Sequence, residues 1–146
     1  MSERAERPSI RFAKSYERDE LEDLQRRASL AQPEYRALLE AHPDAVELPA
    51  EQIENGEVIV AERDGKIAGF AAVVGGELDG LFVEPALWRQ GVGTALVETA
   101  AHEARRRGLS LTVTANPGAR EFYESCGFSV EGEAATRFGP ALRMSR

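Results

Sequence analysis

Two glycines, Gly91 and Gly93, stand one residue apart between an apolar run ending at Val83 and a helix-like run that follows. A glycine inside a regular element costs roughly 0.5–1 kcal/mol against alanine. The pair therefore marks a tight turn, close helix packing, or a backbone that a ligand must approach. Strand, loop and G-x-G at a helix start gather unpaired amides at a positive helix end, an anion site best matched to phosphate. Arg89 stands close enough in the chain to add a charge-assisted contact. Two familiar phosphate motifs do not fit. The GK[ST] ending of a P-loop is absent, and Leu96 occupies the place of the third glycine of a dinucleotide fingerprint. Taken alone, the glycines are equally well explained by tight helix–strand packing.

The elements that must position this loop can be read along the chain. Residues 8–13 form a first strand with Ile10 and Phe12 on one face, and Ser15 is the expected cap of a helix through Leu30, with Leu21, Leu24 and Leu30 among its apolar positions. Pro33 punctuates it, and a second short helix covers residues 34–41. AHPDAVELPAEQIENG reads as loop or weak helix. EVIVAE, KIAGFAAVV and ELDGLFV then form an antiparallel meander joined by Asp64-Gly65 and Gly75-Gly76 turns, with Gly80 marking a bulge or close backbone approach in the third strand.

The helix over residues 91–107 repeats Val92, Leu96, Ala100 and Ala104 at i+4, carries three arginines at its carboxyl end, and stops at Gly108. In LSLTVTA, Leu109, Leu111, Val113 and Ala115 share one face. In NPGAREFYESCGF, Asn116 fits an N-cap, Pro117 the first helical position and Gly127 the terminator. Closing strands fall in residues 128–134 and 138–144. Meander, helix, strand, helix, strands is an α+β, mixed three-layer order rather than a βαβ repeat.

Composition narrows the chemistry. With 146 residues and 42% hydrophobic side chains, the chain is long enough for one domain, residues 1–146, with a proper core. No apolar run approaches the ~20 residues of a membrane span, and MSERAERPS lacks a signal-peptide core, so a cytoplasmic protein without a membrane partner is expected. A single cysteine, Cys126, excludes an internal disulfide, and with only His42 and His102 beside it no metal site is expected. A net charge of −7 argues against nucleic acid as a partner.

A second motif gives the glycine loop its meaning. Asn116, Ala119, Phe122, Tyr123, Gly127 and Phe128 fill the pattern N-x-x-A-x-x-[FL]-Y-x-x-x-G-F, and Gly91 and Gly93 meet the glycines of [QR]-x-x-G-x-[GA]. On these residues the chain resembles the GNAT superfamily of acyl-CoA-dependent N-acetyltransferases. Trp88 departs from the pattern where Gln or Arg is usual, with Arg89 one step later. The motifs span residues 77–128, and the element order extends the likeness, most loosely before Glu57.

The resemblance implies a mostly antiparallel, twisted sheet of six to seven strands, splayed between strands 4 and 5 and flanked by about four helices. It implies acetyl-CoA as co-substrate and no metal. Backbone of Leu81, Phe82 and Val83 would hold the pantetheine arm, and amides of Arg89, Gln90, Gly91, Val92, Gly93 and Thr94 the pyrophosphate. Tyr123 would be the general acid, its phenol along the cofactor while Phe122 faces the core. Asn116 would bond the cofactor arm besides capping its helix. Glu77, with Asp79 as alternative, would be the general base; both point to one face of the strand unless a bulge near Gly80 intervenes. Cys126 reads as core, His102 as surface, and Trp88 either covers the cofactor or packs under the loop.

The expected reaction is acetyl transfer to a primary amine by direct attack in a ternary complex. A non-catalytic acyl-CoA-binding regulatory domain is the alternative, and a homodimer is compatible with either. Seven acids against Arg36 alone between residues 34 and 57 suggest an acidic rim for a cationic acceptor, or simply a solvated surface. Tyr35 and His42 are candidates to line that site.

Overall fold

The structure, a computed structural model, describes residues 7–136 and 139–146, with Glu34 described by its backbone alone. The opening segment MSERAE and the start of the expected last strand at Phe138 lie outside the described residues. Seven strands form one sheet: β1 (Ser9–Phe12), β2 (Val58–Arg63), β3 (Lys66–Val74), β4 (Glu77–Val83), β5 (Thr112–Ala115), β6 (Ser129–Thr136) and β7 (Gly139–Ser145). Their order is β1-β2-β3-β4-β5-β7-β6. All neighbours are antiparallel except β4 and β5, which run parallel. Five helices flank it: α1 (Arg18–Leu30), α2 (Pro33–Ala41), α3 (Ala50–Glu54), α4 (Val92–Arg106) and α5 (Arg120–Ser125). The one beyond the expected four is α3, only five residues long.

Strand alternation sends each face of the sheet to a different helix. Ile59, Ala61 and Ala71 meet α4 through Val92, Leu96, Val97 and Ala100, all buried. Val58, Val60, Phe70 and Ala72 meet Leu21 and Leu24 of α1 and Ile53 of α3. Full burial of a leucine such as Leu21 or Leu96 contributes roughly 1.5–3 kcal/mol, so α1 and α4 are each anchored by several such contacts. Leu30 stays half-buried, and Ala28 holds the third core position of α1 instead.

Helix ends follow one device. At α3, α4 and α5 a positive-φ glycine (Gly56, Gly108, Gly127) follows the last turn. The next residue's amide reaches back to the helix, as Leu109 N does to the Ala104 carbonyl at 2.9 Å and Phe128 N to that of Tyr123 at 3.0 Å. This corrects the reading of Leu109: it closes α4, remains 41% exposed, and β5 begins only at Thr112. The start of α1 needs a second correction. Ser15 lies inside a 3₁₀ turn, Ser15–Glu17, and Glu17 Oε1 accepts the Lys14 amide at 2.8 Å. Glu17 is buried, and Arg11 of β1 grips it with two bonds of 2.9 and 2.7 Å.

The segment between α2 and β2 is held from α1. Arg18 Nε donates to the Leu48 carbonyl at 2.6 Å, Glu22 Oε2 accepts the Leu48 amide at 2.6 Å, and Gln25 Nε2 donates to the Ala45 carbonyl at 3.1 Å. Three residues on one helical stripe thus position a stretch with little regular structure of its own.

Candidate active site

The parallel pair β4–β5 is joined only at Glu77↔Thr112 and Leu78↔Val113. Beyond Leu78 the strands diverge, so half of the β4 backbone groups from Gly80 onward face a gap instead of a neighbouring strand. The gap opens into a cavity of about 780 Å³, lined on this side by Leu81, Phe82, Val83, Thr114, Asn116 and Tyr123. That size suits a ligand of small-molecule to cofactor dimensions. The opposite wall comes from Gln25 and Ser29 of α1, Gln32, and Tyr35, Leu38 and Leu39 of α2.

The β3–β4 register slips between Ala72↔Gly80 and Val73↔Leu78, leaving Asp79 as the extra residue of a bulge. The alternation that would have aligned Glu77 with Asp79 is broken there. Asp79 lines the cavity; Glu77 does not, and lies 3.4 Å from Nη1 of Arg143, which also donates to Thr114 Oγ1. Gly80 has a packing role as well: a Cβ there would sit 2.9 Å from the Phe82 ring, which tilts against Phe70 at 5.4 Å.

The two glycines of the loop do different things. Gly91 has φ +87, and a Cβ built on it would meet nothing within 4 Å, so its requirement is conformational. Gly93 is in the first turn of α4, and its Cβ would stand 3.2 Å from Phe122 Cζ and 3.6 Å from Val83 Cγ2, so its requirement is close packing. The tight turn thus accounts for Gly91 and close packing for Gly93. Arg89 is also left-handed at φ +66, a conformation costing about 1–2 kcal/mol without glycine. The left-handed residues 89 and 91 lead directly into the positive end of a 15-residue helix, whose N-cap, Gly91, supplies no side chain to its first amides. Among the described residues nothing pairs with the Arg89 guanidinium, which lines the cavity mouth. Gln90 is engaged by Arg63 at 2.6 Å, leaving its backbone as the part free to contribute.

Trp88 folds back over the end of β4, where its Nε1 donates to the Val83 carbonyl at 2.8 Å while the ring lines the cleft. Asn116 Oδ1 accepts the Gly118 amide at 2.7 Å, so it caps the 3₁₀ turn Pro117–Ala119 that leads into α5 rather than α5 itself.

Tyr123 and Phe122 exchange the expected burial. Tyr123 is the buried one, edge-on to Phe122 at 5.1 Å and Phe128 at 5.3 Å, while Phe122 is half-buried beneath Gly93. Both still line the cavity. Burial first, then the neighbouring Cys126 and Tyr35, push the Tyr123 phenol well above its usual pKa, so it stays protonated at neutral pH. Cys126 is core and its thiol is raised by burial, whereas His102 is exposed.

The residues missed in the sequence are those of the facing wall: Gln25, Ser29 and Gln32 at i, i+4 and i+7, one position round from the core stripe Leu21, Leu24 and Ala28. That polar edge beside an apolar stripe was the available signal. Tyr35 lines the cleft and His42 does not. Of the six acids in residues 40–57, none lines the cavity, and Glu40, Asp44, Glu47, Glu51 and Glu54 are exposed. Among the described residues no group of three metal-ligating side chains is present, and no helix is long and apolar enough to cross a membrane.

Residues 19–128 match the family model described as acetyltransferase (GNAT) family. None of the curated proteins matches the chain. Among solved structures, a GCN5-related N-acetyltransferase from Rhodopseudomonas palustris is 23% identical, with 97% of this chain and 96% of that one covered at a TM-score of 0.77. The apo form of YjaB from Escherichia coli is 29% identical over 94% and 96% of the two chains, at 0.72. PaiA N-acetyltransferase from Thermoplasma acidophilum, solved with coenzyme A, is 18% identical over 95% and 98%, at 0.75.

Proposed function

The chain belongs to the acetyltransferase (GNAT) family, and from that premise we propose that its cleft binds acetyl-CoA and passes the acetyl group to a primary amine in a ternary complex. The observation that carries the reading is a coincidence in one cavity. Arg89 and Gly93 of the glycine loop at the start of α4, the edge of β4 that β5 leaves unpaired and a protonated, buried tyrosine all border it. A nucleotide thioester asks for those three features: an anion cradle, backbone partners for an extended arm, and a proton donor at the sulfur.

In this reading, amides from Arg89 to Thr94 and the Arg89 guanidinium hold the pyrophosphate. The β4 backbone at Leu81, Phe82 and Val83 pairs with the pantetheine arm as a strand would, and Asn116 borders the same slot. Asp79, an exposed carboxylate on the cleft lining, takes a proton from the ammonium and passes it to solvent. The neutral amine attacks the carbonyl carbon; the C–N bond forms as the C–S bond breaks. Tyr123 gives its proton to the departing sulfur, and the second proton lost by the nitrogen restores the phenol. The products are an N-substituted acetamide and free CoA thiol.

The test is release of CoA thiol from acetyl-CoA against a panel of primary amines, with mass spectrometry of the products. Amide formed in step with thiol release is the expected result. Acetyl-CoA binding without release by any amine would contradict transfer and favour a non-catalytic acyl-CoA-binding domain.

A further inference from the structure

From the facing wall of the cleft we infer the class of acceptor: an amine with one cationic centre on an apolar body, not a polycation. This rests on the acetyl-transfer reading above. Among the described side chains the charged ones lining the cavity are Asp79 and Arg89, and Arg89 belongs to the loop before α4. Among the described side chains Asp79 is thus the one carboxylate on the lining; it is exposed to the cleft's solvent, and nothing among the described residues pairs with it. The same cavity is lined by Tyr35, Leu38, Leu39 and Phe82, and by the neutral polar residues Ser29 and Gln32.

The helical repeat of α2 explains the charge distribution. Tyr35, Leu38 and Leu39 at i, i+3 and i+4 face the cavity, which turns Glu40 to solvent. The acids that follow it, from Asp44 to Glu54, are exposed and outside the lining. A second or third ammonium inside the cleft would lose its water without gaining a counter-charge, a desolvation cost an apolar wall cannot offset. A monocation places its one charge on Asp79 and its carbon body against Tyr35, Leu38, Leu39 and Phe82.

The experiment compares kcat/KM at saturating acetyl-CoA for phenethylamine and phenylalaninamide against spermidine and kanamycin. The monoamines are expected to lead by about tenfold or more, one ammonium partly desolvated against the apolar wall without a counter-charge being sufficient for that ratio. Raising salt from about 20 to about 500 mM should change the monoamine kcat/KM by less than about threefold, since steering by a distant exposed rim would be screened away. Asp79→Asn should lower monoamine kcat/KM about tenfold or more through loss of the charged partner. The triple variant Glu40→Gln, Glu47→Gln, Glu51→Gln should stay within about twofold for every amine, these groups lying outside the cleft lining and screened by solvent. Polycations preferred, or a steep fall with salt that the triple variant abolishes, would overturn the inference while leaving acetyl transfer standing. An unaffected Asp79→Asn would remove Asp79 from its place. Failure of every amine would overturn acetyl transfer, and this inference with it.

Discussion

On one side of the cleft, the run from β4 through α5 is shaped by local backbone rules: a bulge at Asp79, left-handed residues at 89 and 91, and glycine-closed ends to α4 and α5. On the other side, α2, α3 and the chain between them hang from α1 through the side chains of Arg18, Glu22 and Gln25, bonded to backbone 20 to 30 residues away. The first wall is specified by residues only glycine or a cap can replace. The second is specified by long-range pairs, and its lining follows from which helical face those pairs turn inward. The same division follows the chemistry: the locally built wall is proposed to hold the shared co-substrate, the remotely anchored one the acceptor.

If the locally built wall carries the reaction, Tyr123→Phe should produce the largest effect. Turnover should fall about 100-fold or more, as for loss of a general acid, while acetyl-CoA affinity stays within about twofold because the ring packing is kept. Normal turnover with chemistry rate-limiting would remove Tyr123 from its role. Next comes Gly93→Val. With its Cβ already 3.2 Å from Phe122, the added methyls overpack the α4–α5 contact, and chemical denaturation should register a loss of about 1–3 kcal/mol.

The remote wall should break differently. Glu22→Ala removes the charged acceptor of the Leu48 amide, a loss of about 1–3 kcal/mol for an unsatisfied group that water can partly repair. Hydrogen exchange should quicken around Leu48, and KM for the amine should rise while the acetyl-CoA Kd holds. Equal loss of both affinities would erase the distinction between the walls.

The smallest expected effect is one of pH. Arg11 bonds first of all, then the Lys14 amide, hold the buried Glu17 carboxyl below its ordinary 4.5. A carboxyl depressed in the folded state contributes its full stability above its unfolded pKa and loses it as pH falls through the folded value. Thermal stability should therefore decline below about pH 4.5, and Glu17→Gln should flatten that part of the profile while lowering stability at neutral pH. An unchanged acid limb would show that Glu17 does not govern it.

How much could be read in advance follows the same line. Gly91, the Asn116 cap and the i+4 repeat of α4 were legible because each is a local requirement written as a residue type. The bulge that separates Asp79 from Glu77 was visible only as a glycine at position 80, which permits a bulge without dictating its place. The burial of Tyr123 over Phe122 depended on Gly93 admitting the Phe122 ring, a contact between segments 29 residues apart. The seven acids of residues 34–57 suggested a rim, but the course of the chain carrying Asp44 and Glu47 depended on bonds from Arg18, Glu22 and Gln25 to Ala45 and Leu48, which no local pattern encodes.

The most direct test of the account is a calorimetric titration of acetyl-CoA into the wild-type protein and into Gly91→Val, with thermal melts confirming that both are folded. At φ +87 and with open space beside it, a branched side chain at position 91 disturbs the loop and fills the approach to its amides. The account predicts one-to-one saturable binding by the wild type and at least about tenfold weaker binding by the variant, a difference of about 1.4 kcal/mol. No binding by the wild type, or equal affinity in the two, would contradict the assignment of this loop as the pyrophosphate site.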